Sequence, residues 1–481
     1  MNDKNFIVFV RKIEKLLNIW RQRQLTLEGK IVIFKSLAIS KIVHVAYLSN
    51  VPKAIVEKLE KIQSEFLWNG KRAKINNKTL CNKFQNGGLQ KVDIQSKIDA
   101  LQLSWIKRLN DENDHQWKKI PKITFTKYFG QSDIFYPHFS HGIASTPLIP
   151  TFYKDILAKW SKCSSEPIDV RNMLGQYLWY NKHITIAGKP IFWKAFARAG
   201  LTHVGHLCEN GKFLIWNVLK QKFGLSDTLQ FKYIQLVNAI PLVWKEKIRN
   251  EHSLILNNPY MHSQGILLCT RLVPLVGLNS KQIYDIVVRN ANHIPTAQKT
   301  LQRKFQDLEP ESWKKIYILH RKVTKQAYAR NFQYKILNNI LYLNNRLFIF
   351  GMSLTKNCSF CNLVDETLEH LFIECAHTKK LWYDLKHHFS HVLMIPTLTL
   401  QSALLGFLQN MRHYELINHL LLIFKIYVYN SRETKKVSIR GLLSEIKKIC
   451  DLEIKTQEFN RSDLYYEDKW TCIIGSLAID P

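Results

Sequence analysis

Apolar residues recur every three or four positions along the first hundred residues, the spacing expected for one face of an amphipathic helix. The first such stripe consists of Phe6, Phe9, Val10, Ile13, Leu16, Leu17 and Trp20. A second helix starts after Thr26, whose hydroxyl can cap the free N–H groups of a first turn, and it ends before Pro52.

Two more helices complete this block of residues 5–109. Pro52 opens the third helix at its first turn, where the missing N–H does no harm, and Gly70 ends it. Asp93 is predicted to cap the fourth helix. The apolar face of that helix is formed by Ile94, Ile98, Leu101, Trp105 and Leu109. The pattern therefore predicts a helical block over residues 1–110.

The rest of the chain divides by pattern into four parts. Residues 111–190 contain prolines and aromatic segments without a clear period, which predicts a loop-rich linker subdomain. Helical patterns return in short pieces over 191–308 and in longer pieces over 309–458, and residues 459–481 form a tail. Strand-like alternation is weak throughout.

The longest apolar stretch, Leu416–Tyr429, is too short to span a bilayer. It is also interrupted by Asn418, His419 and Lys425. We predict a buried helix there, and no membrane partner.

Composition excludes two classes of protein and favours one class of ligand. The chain has 481 residues, 46% of them hydrophobic, which excludes a disordered protein, and its nine cysteines are too dilute for a disulfide scaffold. Lysine and arginine number 69 against 38 acidic residues, a formal net charge of +31. Because such a charge repels itself in a compact fold, a polyanionic partner is expected, with nucleic acid the first candidate and anionic membrane the second.

Cysteine usage indicates a reducing compartment. The count is odd and six cysteines are scattered singly, namely Cys81, Cys163, Cys208, Cys269, Cys450 and Cys472. The N-terminal apolar run of six residues is too short for a signal peptide. An intracellular location, in nucleus or cytoplasm, is therefore expected.

The most specific motif lies in the C-terminal third, where Cys358, Cys361, His370 and Cys375 fall within eighteen residues. A Cys-x-x-Cys turn supplies two thiolates, and the histidine and last cysteine follow closely enough to complete a tetrahedron around zinc. Three thiolates and an imidazole leave no open position for a catalytic water. The motif predicts one structural zinc ion in a small lobe, inserted into a mainly α, multi-part helical protein.

Other interpretations of this segment remain open at this point. The two cysteines could lie in an ordinary turn beside a packed histidine. His377 is an alternative ligand. His387, His388 and His391 lie on a polar stretch and are interpreted as solvated surface.

Basic residues follow tryptophans at four places in the N-terminal third: Trp20–Arg23, Trp68–Lys74, Trp105–Arg108 and Trp117–Lys119. Cations at the end of a helix interact favourably with its dipole, by ~0.3–1 kcal/mol each, without any partner. The case for nucleic acid therefore depends on the sum of these clusters, because +31 overall makes a continuous basic face hard to avoid.

No catalytic residues are predicted. A polymerase needs clustered carboxylates for two Mg²⁺ ions, and the sequence has no adjacent aspartates. Asp111–Asp114 and Glu467–Asp468 are acidic but lie in polar surroundings that predict loops.

Three segments resemble the C-terminal part of the reverse transcriptase of non-LTR retrotransposons, the long interspersed elements. The first contains LTLEGKIVIFKSLAISKIVHVAYL (Leu25–Leu48), FLWNGKRAKI and NGGLQKVDI, and the second is IFWKAFARAGLTHVGHLCENGKFL (Ile191–Leu214) with AIPLVWK. The third contains FQYKILNNILYLNNRLFIFG (Phe332–Gly351) and CSFCNLVDETLEHLFIECAHTKKLW (Cys358–Trp382). The last piece resembles that family's zinc-binding domain, which is expected over about 332–385.

The resemblance implies an accessory role in binding nucleic acid. Residues 5–109 are similar to the thumb, which grips a template–primer duplex, and the zinc piece would hold template RNA or target DNA. The residues expected to contact phosphate are Arg21, Arg23, Lys30, Lys35, Lys41, Lys71, Arg72, Lys74, Lys107, Arg108, Lys379 and Lys380. Cys358, Cys361, His370 and Cys375 match the family's zinc ligands.

The sequence departs from the family by lacking the endonuclease and the palm with its catalytic aspartates, and it begins where a palm should end. No polymerase activity is expected from this chain alone, and a palm-bearing chain is a further candidate partner. Two rival functions remain: a polymerase with a scattered acidic site, and a basic scaffold that docks on an acidic protein.

Overall fold

The structure is a computed structural model that describes residues 3–110, 115–129, 150–163, 174, 176, 178–181, 183–250, 265–268, 271–274, 279–289, 293–409, 411–460 and 465–477. These residues are mainly helical, with three two-stranded antiparallel hairpins among them, which confirms the predicted fold class. The chain forms two compact units. One comprises Met1–Lys15, Leu37–Lys61 and Asp93–Ala291, and the other Leu16–Ser36, Ile62–Val92 and Asn292–Pro481.

The first unit consists of short helices with three hairpins. Its helices are Ser40–Leu48, Ile94–Asn110, Gln116–Phe129, Thr151–Cys163, Lys194–Arg198, Trp216–Phe223, Gln230–Ala239, Leu242–Asn250 and Ser280–Arg289. Its hairpins pair Thr185–Ile186 with Lys189–Pro190, Cys208–Glu209 with Lys212–Phe213, and Gly265–Leu268 with Arg271–Pro274. Short 3-10 turns occupy Val204–Leu207 and Asp227–Leu229.

The core of the first unit is built around the indole of Trp179, which is fully buried. Its Nε1 donates to the Leu201 carbonyl at 2.7 Å, so the one polar atom of the ring is satisfied inside the core. Phe196 stacks on the ring with centroids 6.2 Å apart. Elsewhere in this unit, helix Ile94–Asn110 packs against helices Thr151–Cys163 and Ser280–Arg289.

The second unit contains the Cys/His motif. Its helices are Leu27–Ile33, Asn77–Cys81, Thr296–Lys304, Ser312–Val323, Ala327–Leu337, Asn344–Ile349, Ala376–His388, Leu400–Leu405, Tyr414–Asn430, Ile439–Asn460 and Tyr465–Ile474. It also contains a π-helical turn, His370–Glu374, and 3-10 turns at Phe84–Asn86 and Gly475–Leu477. Helices Asp3–Arg21 and Lys53–Trp68, and the π-helical turn Phe34–Ala38, contribute residues to both units.

Helix Tyr414–Asn430 is the buried centre of the second unit, which confirms the prediction for this stretch. Its buried amide Asn418 is matched inside the protein: it accepts from Phe407 N at 2.9 Å and donates to Phe407 O at 3.1 Å. Across the described residues, no single helix is long and apolar enough to cross a bilayer. Two segments with a bend between them, Leu27–Ala38 and Ser40–Leu48, are long and apolar enough only when they are counted together.

The predicted helix starts in the N-terminal third are confirmed by their capping contacts. Thr26 Oγ1 accepts from Gly29 N at 3.1 Å, and Asp93 Oδ1 accepts from Ser96 N at 2.8 Å. Helix Lys53–Trp68 ends just before Gly70, whose φ of +74° is the left-handed conformation that favours glycine at a helix end.

Part of the loop-rich prediction for 111–190 is wrong. Residues 116–129 and 151–163 are helical, and Pro150 stands immediately before the second helix, where a fixed φ favours helix initiation rather than a break. Glu467 and Asp468 lie in helix Tyr465–Ile474 and not in a loop. The acidic run Asp111–Asp114 lies outside the described residues.

A mostly buried ion pair joins helix Leu27–Ile33 to helix Ser312–Val323 within the second unit. The Arg321 guanidinium donates to both oxygens of Glu28, at 3.0 and 2.8 Å, and lies 3.4 Å from the centroid of the Phe84 ring. The two charged side chains are only 14% and 20% exposed. The pair therefore anchors helix Leu27–Ile33 to the core of this unit.

Replacing Arg321 by alanine should destabilise the second unit by about 3 kcal/mol, because it leaves the Glu28 carboxylate poorly solvated and unpaired. The matched control is Lys314→Ala on the same helix, since Lys314 forms an exposed pair with Glu311 and its loss should cost at most about 0.5 kcal/mol. Hydrogen exchange of helix Ser312–Val323 measures both changes. Equal effects for the two variants would contradict this account.

Candidate metal centre

A tight turn presents the first two cysteines, and we call residues 357–365 the knuckle. A bridge between Asn357 and Asp365 closes it, and Cys358 N donates to the Val364 carbonyl at 2.7 Å. Asn362, with φ +57°, turns the chain back so that its N–H donates to the Cys358 carbonyl at 3.0 Å. Both cysteines are thus set by backbone geometry within one loop.

The other two residues of the motif come from a short π-helical turn and the helix after it. His370 starts the turn His370–Glu374, and its N–H donates to Thr367 Oγ1 at 3.0 Å. Cys375 follows and is the N-cap residue of helix Ala376–His388, and its own N–H donates to the His370 carbonyl at 2.8 Å. The wider π-helical turn thus connects His370 directly to the N-cap cysteine.

The four side chains converge on one point. One ligand atom from each of Cys358, Cys361, His370 and Cys375 lies within 4.8 Å of all the others. Cys358 Sγ is 3.9 Å from Cys375 Sγ, and Cys361 Sγ is 3.3 Å from His370 Nε2. A tetrahedral ion with Zn–S bonds of about 2.3 Å has edges of about 3.8 Å. The donor set and its spacing therefore fit a zinc ion, with Nε2 as the nitrogen that faces it.

Backbone N–H groups favour the thiolate form at two of the sulfurs. Those of Phe360 and Cys361 point at Cys358 Sγ, and those of His377 and Thr378, in the first turn of a helix, point at Cys375 Sγ. The pKa of Cys375 is lowered to about 7, chiefly because the Cys358 thiol donates to it, and the pKa of Cys358 is raised for the same reason. A divalent cation would let both sulfurs be thiolates at once.

Glu366, the residue after the knuckle, is fully buried and connects the knuckle to the helical core. Its Oε2 accepts from Ser359 N at 2.8 Å and from Ser359 Oγ at 2.7 Å, between the two knuckle cysteines. Its Oε1 accepts from Asn344 N at 2.9 Å and pairs with Arg432 Nη2 at 2.7 Å. Arg432 Nη1 also donates to the Tyr342 carbonyl at 2.9 Å. The knuckle is therefore held by a charged network as well as by its own turn.

Comparison with protein families adds independent support. Residues 284–382 match the family model described as zinc-binding in reverse transcriptase. This part of the chain is a reverse-transcriptase-related zinc domain. The match begins well before residue 332, where the sequence resemblance placed the start of the domain. No curated protein matches the chain.

The remaining histidines of the zinc domain and its surroundings are outside the group of four. His377 is exposed and is not one of the converging residues. His388 Nε2 lies 2.9 Å from the Ser476 carbonyl and His391 Nε2 lies 3.0 Å from Ser476 Oγ, while His391 is exposed and neither joins the four converging residues. His387 is exposed.

The cations predicted to contact phosphate are exposed with one exception. The exposed residues are Arg21, Arg23, Lys35, Lys41, Lys71, Arg72, Lys74, Lys107, Arg108, Lys379 and Lys380. Lys30 is only 6% exposed, and its ammonium group donates to Leu67 O at 3.3 Å and to Asn69 Oδ1. Because that charge is held inside the protein, Lys30 does not belong to a phosphate-binding surface in this conformation.

Sequence reasoning missed Glu366 and Arg432. Neither belongs to a motif, and their separation along the chain hides the ion pair. One local signal could have pointed to Glu366. It is an acidic residue directly after the knuckle, where the Ser359 N–H needs a hydrogen-bond acceptor.

We expect the purified chain to bind one equivalent of zinc and to lose it on Cys361→Ser, because a ligand thiolate disappears. Hydrogen exchange should then accelerate over 350–385 and not over 5–109, since binding energy at a local site is folding energy of that site. The control is Cys472→Ser, because Cys472 is outside the group of four. Metal analysis that finds no zinc in protein purified without chelator would contradict the site.

Replacing Glu366 by glutamine should weaken zinc binding by about 10–100-fold, because residues that orient metal ligands typically contribute that much. The change also leaves Arg432 buried without its counter-ion. The control variant Glu445→Gln removes an exposed ion pair with Lys448, outside the knuckle, and should leave the affinity unchanged. Chelator competition measures both variants, and equal affinities would show that Glu366 does not hold the knuckle.

Proposed function

We propose that the chain binds nucleic acid as an accessory part of a reverse transcriptase of the non-LTR type, with its zinc domain as a structural element of that interface. The observation that supports this most is the closed Cys₃His group inside a segment that matches reverse-transcriptase zinc-binding domains. Sites of this composition stabilise small lobes in nucleic-acid-binding proteins. The proposed partners are template RNA and DNA duplex.

Zinc at this site would act by folding and not by catalysis. The ion would be held by Cys358, Cys361, His370 and Cys375. When bound, it would cross-link the knuckle to the helix that follows. Three thiolates and an imidazole fill a tetrahedral shell, so no position is left for a substrate oxygen or a water. Cys358 and Cys375 are buried with His370, and Cys361 is half-buried, which suits a structural site.

Charge supplies the second line of support. The net charge of +31 is that of the whole sequence. Unlike Lys30, the exposed cations named above are not buried in the protein. Two of the arginines are held against aromatic rings: Arg23 lies 4.9 Å from the Trp20 ring centroid and Arg108 lies 5.0 Å from that of Tyr47. A guanidinium that stacks on a ring still has its N–H groups available to a phosphate. Because the side chain is already held, it loses less entropy when it binds.

We expect log affinity for RNA or primed duplex to fall with log salt concentration at a slope steeper than about −4, as six or more phosphate contacts require. The control is a peptide nucleic acid of the same base sequence, which carries no phosphates and should not bind. Fluorescence anisotropy at increasing potassium chloride measures the slope. A flat curve would contradict the electrostatic account, and failure to bind any nucleic acid would favour docking on an acidic protein.

A further inference from the structure

Three lysines of the second unit surround one tyrosine, and we call Lys71, Lys74, Lys335 and Tyr342 the lysine cluster. The Lys74 ammonium lies 3.5 Å from the centroid of the Tyr342 ring. Hydrogen bonding from Lys74 lowers the pKa of the Tyr342 phenol, and the positive charges of Lys74, Lys71 and Lys335 act in the same direction. Lys74 thus contacts the ring itself, and Lys71 and Lys335 lie near enough to act on the phenol through their charge.

The residues that the structure describes include no acidic partner for the charges of the cluster. Burial lowers the pKa of Lys335, and the nearby charge of Lys74 lowers it further. Within the described part of the chain, no acidic side chain forms an ion pair with Lys71, Lys74 or Lys335. Other lysines of this unit do have acidic partners, such as Lys304 with Glu369 at 2.7 Å. Lys335 is half-buried, and a half-buried ammonium group beside other cations is unfavourable unless an anion binds near it.

The cluster is assembled from elements that share one small core. Ile75, next to Lys74, and Tyr334, next to Lys335, are buried in the same group of apolar side chains, which also includes Leu67. The loop that bears Lys71 and Lys74 leaves helix Lys53–Trp68 through the left-handed Gly70. The ammonium groups thus converge because their neighbours in sequence are fixed in a common core.

Tyr342 is also held from its backbone side by the network of the zinc domain. Its carbonyl accepts from Arg432 Nη1 at 2.9 Å and from Tyr429 Oη at 3.1 Å. Arg432 is the residue that pairs with Glu366, whose carboxylate accepts from Ser359 in the knuckle. The backbone of Tyr342 is therefore tied to the network that holds the knuckle.

We propose that the lysine cluster binds the phosphodiester backbone of a nucleic-acid strand, with the phenol and the three ammonium groups as donors to phosphate oxygens. The proposal rests on the proposed function and adds Lys335 and Tyr342 to the interface. Phosphate is favoured over a single carboxylate because successive phosphates on one strand offer several negative charges to three nearby cations. Lys71 and Lys74 are exposed and accessible to such a strand.

The test compares variants of the full chain in binding to a short single-stranded RNA and to a primed RNA–DNA duplex. Lys74→Ala should weaken binding about tenfold at moderate salt and reduce the salt slope by about 1. Tyr342→Phe keeps the ring under Lys74 and removes only the hydroxyl, so it should give a smaller loss. The control Lys448→Ala removes the same charge from an exposed pair with Glu445 and should have little effect.

A second measurement does not depend on variants. Acetylation of lysines, followed by mass spectrometry, should show that Lys71, Lys74 and Lys335 are protected by the oligonucleotide while Lys448 is not. If the wild-type chain binds no nucleic acid, the proposed function fails. If it binds while Lys74→Ala behaves like Lys448→Ala, or if inorganic tripolyphosphate protects the cluster and the oligonucleotide does not, the lysine cluster is not a backbone site.

Discussion

The buried carboxylate of Glu366 is the interaction on which the candidate site depends most. Its oxygens are shared by Ser359 in the knuckle, the backbone of Asn344 and the guanidinium of Arg432. Such a charge is stable in the interior only when all its partners are in place. Removing one partner of a buried ion pair destabilises a protein by roughly 3–5 kcal/mol, because the remaining charge is left buried and unpaired. The knuckle, the segment around Tyr342 and the end of helix Tyr414–Asn430 are therefore ordered together.

Because a buried charge needs a partner, the cations of this chain divide into a buried group and an exposed group. Two buried lysines illustrate the first group: Lys425 donates to Gln333 Oε1 at 2.6 Å and to the Ala403 carbonyl at 3.0 Å, and burial lowers its pKa to about 7. Lys469 similarly pairs with buried Glu453 at 2.9 Å. Exposed cations such as Arg23 and Arg108 are held by ring contacts instead and keep donors for solvent or phosphate. Net charge alone therefore overstates the number of cations available to a polyanion.

Much of the local structure followed from sequence because it depends on neighbouring residues. Thr26 and Asp93 cap their helices, since capping needs only an acceptor placed three residues before a free N–H. The convergence of Cys358, Cys361, His370 and Cys375 was likewise expected, because zinc ligands close together in sequence need only a turn and a helix start. Two prolines did not mark loops as predicted: Pro150 stands at the start of a helix, where its fixed φ is favourable, and Pro121 lies inside helix Gln116–Phe129.

By itself, the sequence determined the helical class, the caps and the candidate metal-ligand group, because each of these is set by side chains a few residues apart. Only the tertiary structure decided that Lys30 is internal, that Glu366 meets Arg432, and that Lys335 and Tyr342 join Lys71 and Lys74. These outcomes depend on which helices share a core, and burial changes the behaviour of a charged side chain in ways that its neighbours in sequence do not reveal.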